Sequence, residues 1–176
     1  SARGVLVLED PSLDAVLQSG DFAQFYDEHA WLLSVPAVAT LAQHYGLELL
    51  DAEPQPTHGG SMRLTLGRAA AQPWYEVPAR VRDQQYQERY LTKPWTYRLF
   101  AERTSETLTA LDELLSGYRA RGLRLAGYGA SSKLSLTLNL LAQRGLPPEA
   151  IEYVTDSTAS KIGRFMPGTH QPIISR

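Results

Sequence analysis

Near the start of the chain stands an unbroken apolar run, Val5-Leu6-Val7-Leu8. Such a run predicts a strand buried on both faces. Glu9-Asp10 follows, at the carboxyl edge where open α/β sheets bind ligands, and Pro11 stops the strand. Ser34 is a natural N-cap, with Pro36 tolerated in the first turn. Val35, Val38, Leu41, Ala42 and Tyr45 then recur at helical spacing, and Gly46 suits a left-handed C-terminal cap. Leu47 to Leu50 predicts the next strand. Met62, Leu64 and Leu66, alternating with Arg63 and Thr65, predict another.

Between Ala69 and Pro94 no apolar period holds. Pro73, Pro78 and Pro94 break the pattern, so either a bridging helix or a surface linker fits. Its aromatics, Trp74, Tyr75, Tyr86, Tyr90, Trp95 and Tyr97, suit packing between lobes or stacking on a base. The charged run Arg80-Val81-Arg82-Asp83 reads as a solvated helix face. Thr104 or Ser105 then caps a long helix with Leu108, Leu111, Leu114, Leu115 and Tyr118 as its buried stripe and Gly122 at its end. Leu123–Tyr128 is the next expected strand, Ser131–Arg144 a helix and Ile151–Thr155 a strand. This is a βαβ unit, which calls for parallel strands and a right-handed crossover. The pattern divides the chain into residues 1–70, a linker or bridging helix over 71–103, and a second lobe over 104–176.

Composition narrows the classes. An apolar content of 43% supports a packed core. With 17 basic and 19 acidic residues, net −2, the chain lacks the basic excess of a nucleic-acid footprint. No apolar run approaches the ~20 residues of a membrane span, and no signal peptide is visible. The chain has no cysteine, which fits a reducing cytoplasm.

Three segments carry candidate chemistry. Tyr26-Asp27-Glu28-His29 sets a phenol, carboxylates and an imidazole side by side, and in a helix Tyr26 and His29 would share a face. Imidazole is suited to moving a proton near neutral pH, a carboxylate can hold and polarise it, and a phenol can hydrogen-bond an oxygen gaining charge. The same residues also fit a plain polar turn. His58-Gly59-Gly60 is either a tight turn or one wall of a pocket. Gly127-Tyr128-Gly129-Ala130-Ser131-Ser132-Lys133 opens the βαβ helix. Gly127 and Gly129 let backbone approach a ligand, the helix start offers N–H groups to an anion, Lys133 adds a point charge, and Asp156 at the next strand end suits a sugar hydroxyl. A bare βαβ turn fits equally. His44 and His170 receive no role.

Taken in order, Y-x-E-H at 26–29, H-G-G at 58–60, G-Y-G-A-x-x-K at 127–133 and the 163–170 segment Gly-Arg-Phe-Met-Pro-Gly-Thr-His resemble the S-adenosylmethionine-dependent C-methyltransferases of deoxysugar biosynthesis. The resemblance implies an α/β fold: the C-terminal part of a class I methyltransferase sheet followed by a Rossmann-like βαβ lobe. It implies methylation of a carbon beside the ketone of a nucleotide-linked keto-sugar. His29 would be the general base, Glu28 its holder, and Tyr26 the residue orienting the sugar. His58, Gly127, Gly129, Lys133 and Asp156 would bind the substrate. Family members begin with a cysteine-rich zinc segment and a Gly-rich donor loop, neither of which stands in these residues. The chain is therefore expected to be a fragment, inactive alone. S-adenosyl-L-methionine would be bound mainly, and zinc only, by a preceding part, and the rest of the same polypeptide would be its partner. A non-catalytic nucleotide-sugar-binding module is the alternative. A dehydrogenase half is disfavoured by Ser132, which replaces the third glycine of the dinucleotide fingerprint.

Overall fold

The computed structural model describes residues 4–68 and 76–176. It is a mixed α/β structure of two compact units, one comprising Ser1–Gln24 and His29–Phe100, the other Phe25–Glu28 and Ala101–Arg176. Trp74 and Tyr75 lie outside the described residues. No helix among those described is long and apolar enough to cross a membrane.

In the first unit, β1 (Val5–Pro11), β2 (Leu47–Gln55) and β3 (Ser61–Arg68) form a sheet of order β1-β3-β2, with β3 antiparallel to both neighbours. Leu8 pairs with Leu64, Glu9 with Arg63, and a bulge at Leu50 shifts the β2–β3 register between Leu49 and Asp51. Helix α1 (Leu13–Ser19) follows β1, and α2 (Val35–His44) precedes β2. Ser34 caps α2 as expected, its hydroxyl accepting from the Ala37 N–H, and Gly46 is left-handed at φ 65°. Val35, Val38 and Ala42 pack on Leu49, Ala52, Met62, Leu64 and Leu66. Burying each large aliphatic side chain there contributes about 1.5–3 kcal/mol.

Two sequence expectations change in this unit. Val5, Leu6 and Val7 are 60%, 48% and 53% exposed, because β1 is an edge strand and the packed cluster reaches only Leu8. Leu41 and Tyr45 are also exposed: Leu41 sits on the flank of the stripe, and Tyr45 lies past the last helical residue. The segment after Pro78 contains a helix, α3 (Ala79–Gln87), that buries Val81 against the sheet while Arg80, Arg82 and Asp83 stay exposed. A 3-10 stretch, Glu88–Thr92, follows, and Tyr90 stacks on Trp95 at 6.4 Å.

Helix α4 runs from Pro94 to Ala120, and the division between the units falls within it. It begins ten residues before the expected cap. Pro94 supplies the first turn, and Ser105 is interior. The Ser105 hydroxyl accepts from Arg144 Nη2 at 2.7 Å instead of capping. In the second unit, β4 (Gly127–Tyr128), α5 (Ser132–Gln143), β5 (Val154–Asp156) and β6 (Ile173–Ser175) build a parallel sheet of order β4-β5-β6. The strands are shorter than predicted, since Leu123 to Ala126 and Ile151 to Tyr153 carry no ladder, and β6 is an addition. Ser131 caps α5 through the Leu134 N–H at 3.2 Å. Leu138, Ile151, Val154, Met166 and Ile173 form the second core.

Candidate functional site

In the second unit the chain turns between β4 and α5. Gly127 is closely packed: a Cβ there would lie 3.0 Å from Val154 Cγ2, so the valine side chain would have to give by a few tenths of an ångström. Gly129 takes φ 86°, with open space where a side chain would stand. The turn is fastened by Asp156 at the end of β5. One carboxylate oxygen accepts from the Ala130 N–H and the other from the Thr158 N–H, each at 2.7 Å. Lys161 Nζ donates to the Ala130 carbonyl at 2.7 Å and lies 3.8 Å from the Asp156 carboxylate. Hydrogen bonds from Thr158, then from Ala130, with the nearby Lys161 charge, hold the Asp156 carboxyl down at about 2. Asp156 is thus buried and turned toward its own backbone.

This has a pH consequence. A carboxyl whose folded value lies below its ordinary one stabilises the fold above that ordinary value, and the contribution is lost as pH falls through the folded value. The stability difference between wild type and Asp156→Asn is therefore expected to shrink between about pH 4 and pH 2, as read from urea midpoints across that range. A constant difference would remove the ionised carboxylate from the turn.

The other wall is the segment 161–173. Its backbone folds back on itself, Gly163 N–H donating to the Ile173 carbonyl at 2.9 Å and Ile173 N–H to the Arg164 carbonyl at 2.8 Å. Asn139 on α5 pins it by donating to the Pro167 carbonyl at 2.9 Å. Gly168 takes φ 82°, and a Cβ there would fall 2.0 Å from Asn139 Oδ1. Between this wall and the start of α5 lies a cavity of about 620 Å³. Ser131, Ser132 and Ser135 line one side, and Lys161 and Arg164 supply cations. Leu136, Met166 and Ile173 are its apolar part, and Phe165 and Tyr26 its aromatic rim. Lys133, in the first turn of α5 and half-buried, is not among the lining residues.

A larger hollow, about 1170 Å³, opens in the first unit beside the start of α2 and Glu88–Lys93. Glu88 is fully buried there, accepting from the Val35 N–H at 2.7 Å and from Gln84 at 3.1 Å, and burial pushes its carboxyl up. None of the candidate catalytic or substrate-binding residues lines this hollow, although Tyr90, Trp95 and Tyr97, the aromatics suited to packing or stacking, do.

Tyr26-Asp27-Glu28-His29 is a turn, not a helix, so helical spacing does not put Tyr26 and His29 on one face. The chain passes through a 3-10 turn at Phe22–Gln24, and Phe25–Glu28 then belongs to the second unit before His29 rejoins the first. Tyr26 is half-buried and Glu28 exposed. His29 Nδ1 lies 3.0 Å from the Gln24 carbonyl oxygen. A carbonyl can only accept, so Nδ1 carries the proton and Nε2 the basic lone pair of the neutral ring. The group fixing the tautomer is thus a backbone carbonyl.

His58 sits in the turn Thr57–Gly59 at φ 52°, an uncommon conformation for a residue with a side chain, and its ring is exposed. Gly60, at φ 125°, is required because a Cβ would lie 2.6 Å from Ala15 Cβ. The two glycines thus serve the turn. The His58 carbonyl accepts from Gln24 Nε2 at 2.6 Å. Sequence reasoning missed Gln24, a polar residue in a segment with neither period nor motif. It also missed Lys161, which no fingerprint spacing marks. Among the described residues no group of three or more His, Cys, Asp or Glu could hold a metal.

Residues 56–176 match the family described as the C-methyltransferase C-terminal domain, and the chain belongs to that family. The match includes the H-G-G turn and the whole cavity wall, while Tyr26 to His29 precede it. Over 174 residues, 98% of its length, the chain is 34% identical to "C-methyltransferase NovU" of Streptomyces niveus. It spans 40% of that protein.

Proposed function

We propose that the chain is part of an S-adenosylmethionine-dependent C-methyltransferase acting on the carbon beside the ketone of a nucleotide-linked keto-deoxysugar. The observation that carries this reading is the cavity of the second unit, where Tyr26 of the Y-x-E-H motif lines the same space as Lys161 and Arg164. Two cations beside three serine side chains suit a diphosphate. The aromatic and apolar rim suits a base or sugar face. Gly129 leaves room for a ligand at the turn, Gly127 packs behind it, Asp156 fastens the turn through the Ala130 N–H, and Lys133 adds positive charge in the first turn of the helix. His58 remains the proposed wall residue of the first unit.

The base of the reaction is His29. Its Nδ1 proton is held by the Gln24 carbonyl, which leaves Nε2 to take the proton beside the ketone. Tyr26 donates to a sugar oxygen, and Glu28 adds negative charge that favours the imidazolium. The donor, when bound, supplies an electrophilic methyl group. Its positive sulfonium does not suit a cavity lined by Lys161 and Arg164, so the donor belongs elsewhere in the polypeptide. Zinc is likewise assigned to the rest of the polypeptide, as the family resemblance implies. The β1-β3-β2 sheet is read as the end of a class I methyltransferase sheet, and the cysteine-free chain as cytoplasmic.

Titration with a nucleoside diphosphate tests the site. Lys161→Ala and Arg164→Ala are each expected to weaken binding by about 1–3 kcal/mol, the range for hydrogen bonds to charged groups. Lys133→Ala should have a smaller effect. Equal affinity in all three variants and wild type would move the nucleotide out of this cavity.

A further inference from the structure

We infer that Gln24 is a positioning residue that fixes the imidazole of His29 in its base-competent tautomer and ties it to the His58 turn. This rests on the reading that His29 is the base. Gln24 is 1% exposed, in a stretch where its neighbours Ala23 and Phe25 are not buried. A buried amide carries a desolvation cost unless its groups are bonded; here the Nε2 donors are bonded and Oε1 is buried without a hydrogen-bond partner. Its Nε2 meets two acceptors, the His58 carbonyl at 2.6 Å and Asp21 Oδ2 at 3.0 Å. Its backbone N–H donates to the Asp21 carbonyl at 3.1 Å. With the side chain held at two points and the N–H at a third, the Cα of Gln24 is fixed in place, which narrows the directions open to the carbonyl that follows it; that oxygen stands 3.0 Å from His29 Nδ1.

Two motifs far apart in sequence are thereby joined through one side chain. The backbone of Gln24 orients the imidazole of Y-x-E-H, and its amide holds the carbonyl of His58 in H-G-G. His58 is held at φ 52°, and a bond to its carbonyl helps such a strained backbone persist. Gln24 touches no reacting atom. Its effect passes through the angle and tautomer of His29, and loosening a base by about 1 Å can cost on the order of 100-fold in rate.

The test uses the full-length enzyme labelled with nitrogen-15 histidine. The four histidines of these residues are assigned by single replacement. Wild type is expected to show His29 as a single tautomer, Nδ1 protonated and Nε2 unprotonated. Gln24→Met keeps the side-chain length and removes both donors. It should give mixed tautomers at His29, and turnover lower by about 10- to 100-fold with KM for the nucleotide sugar nearly unchanged. Should Gln24→Met fail to fold, Asp21→Ala removes one acceptor at a half-buried position and should give the same tautomer mixing with a smaller loss of turnover. An unchanged His29 tautomer in the folded variant would overturn the inference and leave the base reading intact. Near-normal turnover in His29→Asn would instead overturn the base reading, whatever the tautomer.

Discussion

In the full-length enzyme, His29→Asn is expected to lower turnover by about 100- to 10,000-fold, the usual effect of losing a general base. The affinity for the nucleotide sugar should be nearly unchanged, because a base contributes only on the way to the transition state. Asparagine suits this test. Its side-chain amide can still donate to the Gln24 carbonyl that His29 Nδ1 now faces, so the turn keeps its bond while the basic nitrogen is lost. Glu28→Gln should cost less, because Glu28 is exposed and the variant removes charge without removing the base. Steady-state kinetics of all three proteins decide the matter, and turnover near wild type in His29→Asn would make it a structural histidine.

The parts of this fold that sequence exposed are those where one local rule acts alone. Met62, Leu64 and Leu66 alternate cleanly because β3 is the central strand with one face on α2. Ser34 and Ser131 announce their helices because each hydroxyl accepts from the N–H three residues on. Where two rules compete, the sequence misleads. Thr104-Ser105 has the composition of a cap, yet Arg144 occupies the Ser105 hydroxyl and the helix runs through. β6 is three residues long and follows Pro172, so it carries no periodic signal. At the site, the motif histidines and Tyr26 could be named from order alone. The residues that hold or surround them, Gln24, Asn139 and Lys161, could not, because their roles come from contacts between segments distant in sequence.

Gly168→Ala is the second large effect. Its left-handed φ of 82° disfavours any side chain, and the new Cβ would meet Asn139 Oδ1 at 2.0 Å. Strain of about 1–2 kcal/mol for the conformation and about 1–3 kcal/mol for overpacking together predict a loss of about 2–5 kcal/mol. Relief requires Asn139 to swing away, which would release the Pro167 carbonyl and loosen the wall carrying Lys161 and Arg164. Gly163→Ala is the matched control. It shares the left-handed backbone at φ 80° but would meet nothing within 4 Å, so only the conformational part should appear. Urea unfolding followed by circular dichroism should place the Gly168→Ala midpoint well below that of Gly163→Ala, with nucleotide affinity also reduced. Equal midpoints would show that Asn139 moves freely and that the wall does not depend on it.

The order β1-β3-β2 sets an order of assembly. Strands β2 and β3 are joined through residues 56–60 alone, whereas β1 reaches β3 only after residues 12–60 have been traversed. Closing the longer loop costs about 2 kcal/mol more in chain entropy. Among these three strands the β2–β3 hairpin is therefore expected to form first and β1 to join it last. Glu9 of that late strand takes up Thr57 and Arg63, so the region next to the His58 turn reaches its final form only when the edge strand has docked.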